Sequence, residues 1–69
     1  MELSGRNQLP GEVVSVKFGG IMAEVTMRLP GGEEIVAAIT RSSAERLGLE
    51  AGHQVVAIIK ATEVMIGKP

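Results

Sequence analysis

Hydrogen-bond donors gather in three short clusters of this 69-residue sequence: Ser4-Gly5-Arg6-Asn7, Thr40-Arg41-Ser42-Ser43 and Lys60-Ala61-Thr62. Each supplies hydroxyls, cationic side chains and backbone amides, and none contains a carboxylate, an imidazole or a thiol. Such a set can surround an anion that only accepts hydrogen bonds. It lacks the general base and the activated nucleophile that acyl or phosphoryl transfer needs. The middle cluster stands at the start of a short helix, where free amides and the positive dipole end favour an anion. Each cluster also has a plainer use. A capped helix needs Ser and Thr with nothing bound, a lysine after an apolar strand reaches for water, and Arg6 in a polar N-terminal stretch can simply be solvated.

The remaining polar residues narrow the chemistry further. There is no cysteine and one histidine, which excludes disulfides, thiolate sites and a histidine cluster for zinc. All eight acids are glutamates, so the Asp-rich calcium loop and Asp-centred nucleophile triads are excluded as well. No metal ion is therefore expected to be coordinated directly. His53 follows Gly52 in a turn and reads as a surface residue. Glu33 and Glu34 are strand neighbours whose side chains point to opposite faces, so they do not form a catalytic carboxylate pair. Gly19-Gly20 and Gly31-Gly32 are turn residues and match no phosphate-cradling motif.

Net charge is −1 and the charges are dispersed, while Phe18 is the one aromatic residue. A nucleic-acid groove would need a basic field with stacking platforms, and neither is offered. The N-terminal residues do not read as a signal peptide, no apolar run reaches the length of a membrane span, and the expected location is the cytoplasm.

The elements that must hold the three clusters are mostly strands. Fourteen residues are Val or Ile, in short runs punctuated by glycine. Residues 13–18 place Val14, Val16 and Phe18 on one face and Val13, Ser15 and Lys17 on the other. Residues 21–29 alternate most clearly, with Ile21, Ala23, Val25, Met27 and Leu29 on one side. Residues 34–40 alternate again after Pro30-Gly31-Gly32, which predicts a three-strand meander. At Ser42-Ser43-Ala44-Glu45 a capping box predicts a helix of one or two turns, with Ser42 and Glu45 as the reciprocal caps, Gly48 as its stop, and Leu47 and Leu49 as its anchors. Residues 54–59 form a strand apolar on both faces, one of which should meet another subunit. Residues 63–66 are expected as a last short strand. The fold class is all-β with one short helix, a small OB-like five-stranded β-barrel, because closure removes exposed edges.

A chain this short buries a marginal core by itself, and 45% hydrophobic residues is high for so much surface. With disulfides and metals excluded, association with copies of itself is the remaining way to cover that area.

Taken in order, Ser4-x-Arg6-Asn7-Gln8-Leu9, Gly11-x-Val13, Glu24-Val25, Ile39-Thr40-x-x-Ser43-Ala44-x-x-Leu47-Gly48-Leu49 and Ile59-Lys60-Ala61-Thr62-x-Val64-Met65-Ile66-Gly67 resemble the molbindins, molybdate-binding domains. The resemblance spans nearly the whole chain and rests on order and spacing, since no single piece is specific. The same module resembles the paired C-terminal domains of molybdate-responsive transcription regulators and of molybdate importer ATPases, without their DNA-binding or ATPase parts. It implies that residues 1–69 are a single oxyanion-binding domain with an OB-like barrel. It further implies a homohexamer, a trimer of dimers, that holds oxyanions between subunits and serves intracellular molybdate buffering or storage. Carried over by position, the anion contacts fall on Ser4, Arg6, Thr40, Ser43, Lys60 and Thr62, with backbone amides near Gly5 and Ala61. Gly5 stands where alanine is common and Thr62 where serine is common; both keep the needed amide or hydroxyl.

The chemistry fits that implication. Molybdate at neutral pH is a tetrahedral dianion with acceptor oxygens only, so it requires donors from several directions and about two positive charges. Arg6 and Lys60 would supply the charge. The bound ligand would be molybdate or tungstate, with no organic cofactor and no enzymatic activity. Two other readings are an OB-like module for single-stranded nucleic acid, which the missing aromatic platform and basic groove disfavour, and a purely structural assembly domain.

Overall fold

The computed structural model describes residues 3–69; Met1 and Glu2, part of the stretch read above for a leader, lie outside them. Four strands make one antiparallel sheet in the order β3-β2-β1-β4, formed by β1 (Asn7–Phe18), β2 (Met22–Arg28), β3 (Glu34–Thr40) and β4 (Gln54–Ile59). A helix, α1 (Arg41–Leu47), follows β3 directly, and a 3-10 turn (Ala61–Glu63) follows β4. The meander β1-β2-β3 and the single short helix match the sequence reading.

The expected fifth strand is not present. Residues 64–69 form no strand; Met65 and Ile66 are 92% and 90% exposed, and β3 and β4 remain the two edges of the sheet. A strand exists only where a neighbour completes its ladder, and within one chain the 3-10 turn after Lys60 leads the tail to no such neighbour. The sheet curls into a half-barrel that stays open between β3 and β4.

β1 begins six residues earlier than its hydrophobic run suggests. Its first half pairs with β4, from Asn7 opposite Ile59 to Glu12 opposite Gln54, and its second half pairs with β2, from Glu12 opposite Arg28 to Phe18 opposite Ala23. Pro10 and Gly11 lie inside the strand, where they would normally mark an end. Val13 N–H donates to the His53 carbonyl at 2.9 Å, so by alternation the nitrogen of Pro10 faces the opposite edge. That edge lies beyond the last β1–β2 pair, and no ladder bond is lost there. Gly11 marks a close approach: a Cβ at this position would stand 2.5 Å from the Arg28 carbonyl oxygen.

A β-bulge between Val13 and Ser15 changes the parity of β1. Val13 opposes Met27, and after the extra residue Val14, Val16 opposes Val25. Val13 and Val16 therefore share the inward face, although simple alternation sets them on opposite faces. Among the described residues the buried apolar side chains are Val13, Ala23, Val25, Met27 and Ala44. The inward residues of β3 (Ile35, Ala37, Ile39) and β4 (Val55, Ala57, Ile59) are only half-buried.

The helix is capped differently from the expected box. Thr40, extended at φ −68° and ψ 147°, is the N-cap, and its hydroxyl accepts from Ser43 N–H at 3.1 Å. Glu45 forms an ion pair with Arg41 at 3.5 Å instead of reaching back to a cap. The strand end already places Thr40 with extended backbone at the N-cap position, two residues ahead of the box. Gly48 stops the helix as expected, at φ 62°, the left-handed conformation that suits glycine. Ala44, not Leu47, anchors the helix: Ala44 is 0% exposed, Leu47 is 66% exposed, and Leu49 is half-buried.

Candidate oxyanion site

The strand register brings the first and third donor clusters together. Asn7 opposes Ile59, and the Asn7 side-chain amide donates to the Ile59 carbonyl at 3.0 Å. Gln8 donates to the Gly5 carbonyl at 3.2 Å and folds the preceding turn back on itself. Gly5 is buried so closely against β4 that a Cβ there would lie 2.5 Å from Ile58 Cγ2. These contacts hold Ser4 and Arg6 beside the exit of β4.

The result is an open cleft of about 450 Å³ lined by Ser4, Arg6, Lys60, Ala61 and Thr62. Residues more than fifty positions apart thus share one concave surface with two cations, two hydroxyls and no carboxylate in its lining. The 3-10 turn adds direction. Glu63 N–H bonds the Lys60 carbonyl at 2.9 Å, and the opening amides of that turn, those of Ala61 and Thr62, have no partner within it. Lys60 and Arg6 are exposed, so their charges are available to an incoming anion and subject to screening by salt.

Thr40 and Ser43 do not line this cleft. Thr40 opposes Met22, beyond the Phe18–Ala23 end of β1, whereas Lys60 follows Ile59 at the Asn7 end. The two hydroxyls form a compact pair, with Thr40 Oγ1 donating to Ser43 Oγ at 2.7 Å, and Ser42 Oγ lies 3.4 Å from Thr40 Oγ1. Of the eight candidate residues, five line the cleft, Gly5 is packed between two of them, and Thr40 and Ser43 form a second donor group.

Arg41 is turned away from that group. Its guanidinium donates to the Gly19 carbonyl at 3.0 Å, lies 5.3 Å from the centre of the Phe18 ring and pairs with Glu45. Two residues missed as site components emerge here. Asn7 clamps the N-terminal segment to β4, and Arg46 donates to Ser43 Oγ at 3.3 Å. The spacing of Arg46 three residues after Ser43 is the signal that would have pointed to it.

The other polar residues behave as expected. His53 lies 3.9 Å from Glu50 in an exposed turn, and Glu34 binds Arg28 at 2.7 Å and not its neighbour Glu33. No helix among the described residues is long and apolar enough to cross a membrane.

The TOBE domain family matches residues 3–66. The chain belongs to the TOBE domain family. Among curated proteins it is similar to molybdenum-pterin-binding protein 1 of Clostridium pasteurianum, with 47% identity over 66 residues, 96% of this chain and 97% of that protein. Among solved structures it resembles a molybdate-binding protein from Sporomusa ovata, with 43% identity and a TM-score of 0.92, covering 99% of this chain and all of the other. It also resembles the cytoplasmic molybdate-binding protein ModG with molybdate bound, with 42% identity and a TM-score of 0.94 over 100% of this chain and 49% of that one. The molbindin resemblance drawn from the sequence is thereby supported over nearly the whole length, and the family is one of binding domains.

Proposed function

We propose that residues 1–69 act as one oxyanion-binding domain that holds molybdate, and tungstate in the same way, and that its role is buffering or storage in the cytoplasm. The observation that carries this reading is the acid-free cleft in which Ser4, Arg6, Lys60, Ala61 and Thr62 converge from the two ends of the chain. Arg6 presents a planar fork and Lys60 a compact ammonium, which together balance a dianion. The Ser4 and Thr62 hydroxyls and the amides of Ala61 and Gly5 supply donors from further directions. The lining holds no carboxylate, imidazole or thiol, which supports a domain that works by binding and not by catalysis, with no organic cofactor.

Thr40 and Ser43 enter this reading through assembly. They stand outside the cleft of their own chain, and the open groove between β3 and β4 leaves apolar surface for another copy to cover. In a homohexamer, a trimer of dimers, the hydroxyl pair of one subunit would complete the cleft of its neighbour. Similarity to the molybdate-binding proteins of the preceding section supports the ligand, and the name of ModG supports the cytoplasmic location. The test is calorimetric titration of the purified protein with sodium molybdate. Saturable binding, fewer sites than would arise if each Arg6–Lys60 cleft and each Thr40–Ser43 pair acted alone, and loss of binding in 1 M salt are expected. Absence of binding at low ionic strength would overturn the reading.

A further inference from the structure

The hydroxyl of Ser43 is more constrained than its half-buried position suggests. Its oxygen receives one hydrogen bond from Thr40 Oγ1 at 2.7 Å and a second from Arg46 Nη2 at 3.3 Å. A hydroxyl has two lone pairs and one proton, so both acceptor positions are filled and the proton of Ser43 is left to point outward. Thr40 Oγ1 is itself fixed, because it accepts from Ser43 N–H at 3.1 Å while it donates to Ser43 Oγ. Arg46 can reach back because helical side chains lean toward the N-terminus and residues three apart share a face.

The two arginines of the helix differ in what they serve. Arg41 spends its guanidinium on the Gly19 carbonyl, the Phe18 ring and Glu45. Arg46 makes no ion pair with any carboxylate among the described residues, and Ser43 Oγ is its side-chain partner there. We propose that Arg46 is a positioning residue for the oxyanion site: by filling the second lone pair of Ser43 it makes that hydroxyl a donor only. This rests on the molybdate reading above and on the place of Thr40 and Ser43 in it. The consequence is selectivity by protonation state. Molybdate offers four acceptor oxygens and suits a hydroxyl locked as a donor. Phosphate near neutrality carries at least one proton, which needs an acceptor, and Ser43 has none to give.

The test uses the full chain with Arg46→Met, which keeps length and helix propensity but removes the donor, and Arg46→Lys, which restores a cationic donor. Each protein is loaded with molybdate and challenged with inorganic phosphate in one buffer at neutral pH, and the melting temperature is recorded alongside. Arg46→Met is expected to lower the affinity ratio of molybdate over phosphate by about two- to fivefold, the range for a single exposed charged contact. Arg46→Lys is expected to recover most of that ratio. If Arg46 serves only the helix, Arg46→Met would lower the melting temperature and weaken both anions in proportion, leaving the ratio unchanged; that result overturns the assignment. A wild-type protein that binds no molybdate would overturn the functional reading and this inference together. Normal wild-type binding with an unchanged ratio in Arg46→Met would overturn the inference alone.

Discussion

At the scale of single residues, the cations divide according to what already occupies them. Arg28 is committed to Glu34 at 2.7 Å and Arg41 to Glu45 and Gly19, whereas Lys60 and Arg6 line a cleft that contains no acid. Removing Lys60 should therefore delete a charge-assisted hydrogen bond to the anion. Lys60→Ala is expected to weaken molybdate binding by roughly ten- to over a hundredfold. Arg28→Ala, which breaks only an exposed pair, is expected to leave affinity unchanged. Calorimetry on both variants checks this, and equal affinity for wild type and Lys60→Ala would remove Lys60 from the site. The donor clusters were legible in the sequence because hydroxyls and cations without acids stand out in an apolar chain. Arg46 was not, and Asn7, though part of the first cluster, was not marked as a contact, because which carbonyl or hydroxyl they reach, Ile59 and Ser43, is set only by the folded backbone.

At the scale of elements, the parts legible in the sequence were those with an unbroken period. β2 alternates cleanly and appears one residue shorter at each end than its run, and β3 appears with the expected residues. β1 defeated the same reasoning twice. Pro10 and Gly11 conceal its first half, and the bulge at Val14 reverses its parity, so that Val13 and Val16 face the same way. The tail was misread as a strand because Val64, Met65 and Ile66 have strand character, but a ladder partner is a property of the folded sheet and not of the residues. Two predictions belong here. Gly11→Ala places a Cβ 2.5 Å from the Arg28 carbonyl oxygen and 2.7 Å from Met27 Cε, and forcing β1 from β2 is expected to cost about 1–3 kcal/mol in urea unfolding. Thr40→Ala removes the N-cap acceptor and should cost about 1 kcal/mol. The same variant loses the donor to Ser43, so its molybdate affinity should fall as well, which separates it from Gly11→Ala.

At the scale of the whole molecule, the half-barrel leaves apolar surface of its own chain uncovered. The edges of β3 and β4 flank a groove of about 440 Å³ whose lining includes Ile39, Leu47, Val56 and Ile58. Leu47, Val56 and Ile58 are 66%, 40% and 44% exposed, and Met65 and Ile66 add further uncovered apolar area in the tail. Association should cover that surface, so light scattering at micromolar concentration is expected to give a mass several times that of the monomer. The melting temperature should also rise with protein concentration, by mass action; a monomer mass with a concentration-independent melt would contradict the assembly. On the proposed function, charge and donor spacing together set what the site can discriminate. Molybdate, tungstate and sulfate are all tetrahedral dianions, so donors alone cannot separate them, and only donors spaced for longer metal–oxygen bonds can. Sulfate leaves some of those donors unmet, and each buried donor left so costs about 1–3 kcal/mol. The most direct measurement is competition against bound molybdate by tungstate and by sulfate in one buffer. Tungstate should displace molybdate at comparable concentration, while sulfate should require at least a tenfold excess; displacement by sulfate as readily as by tungstate would contradict a site built for molybdate.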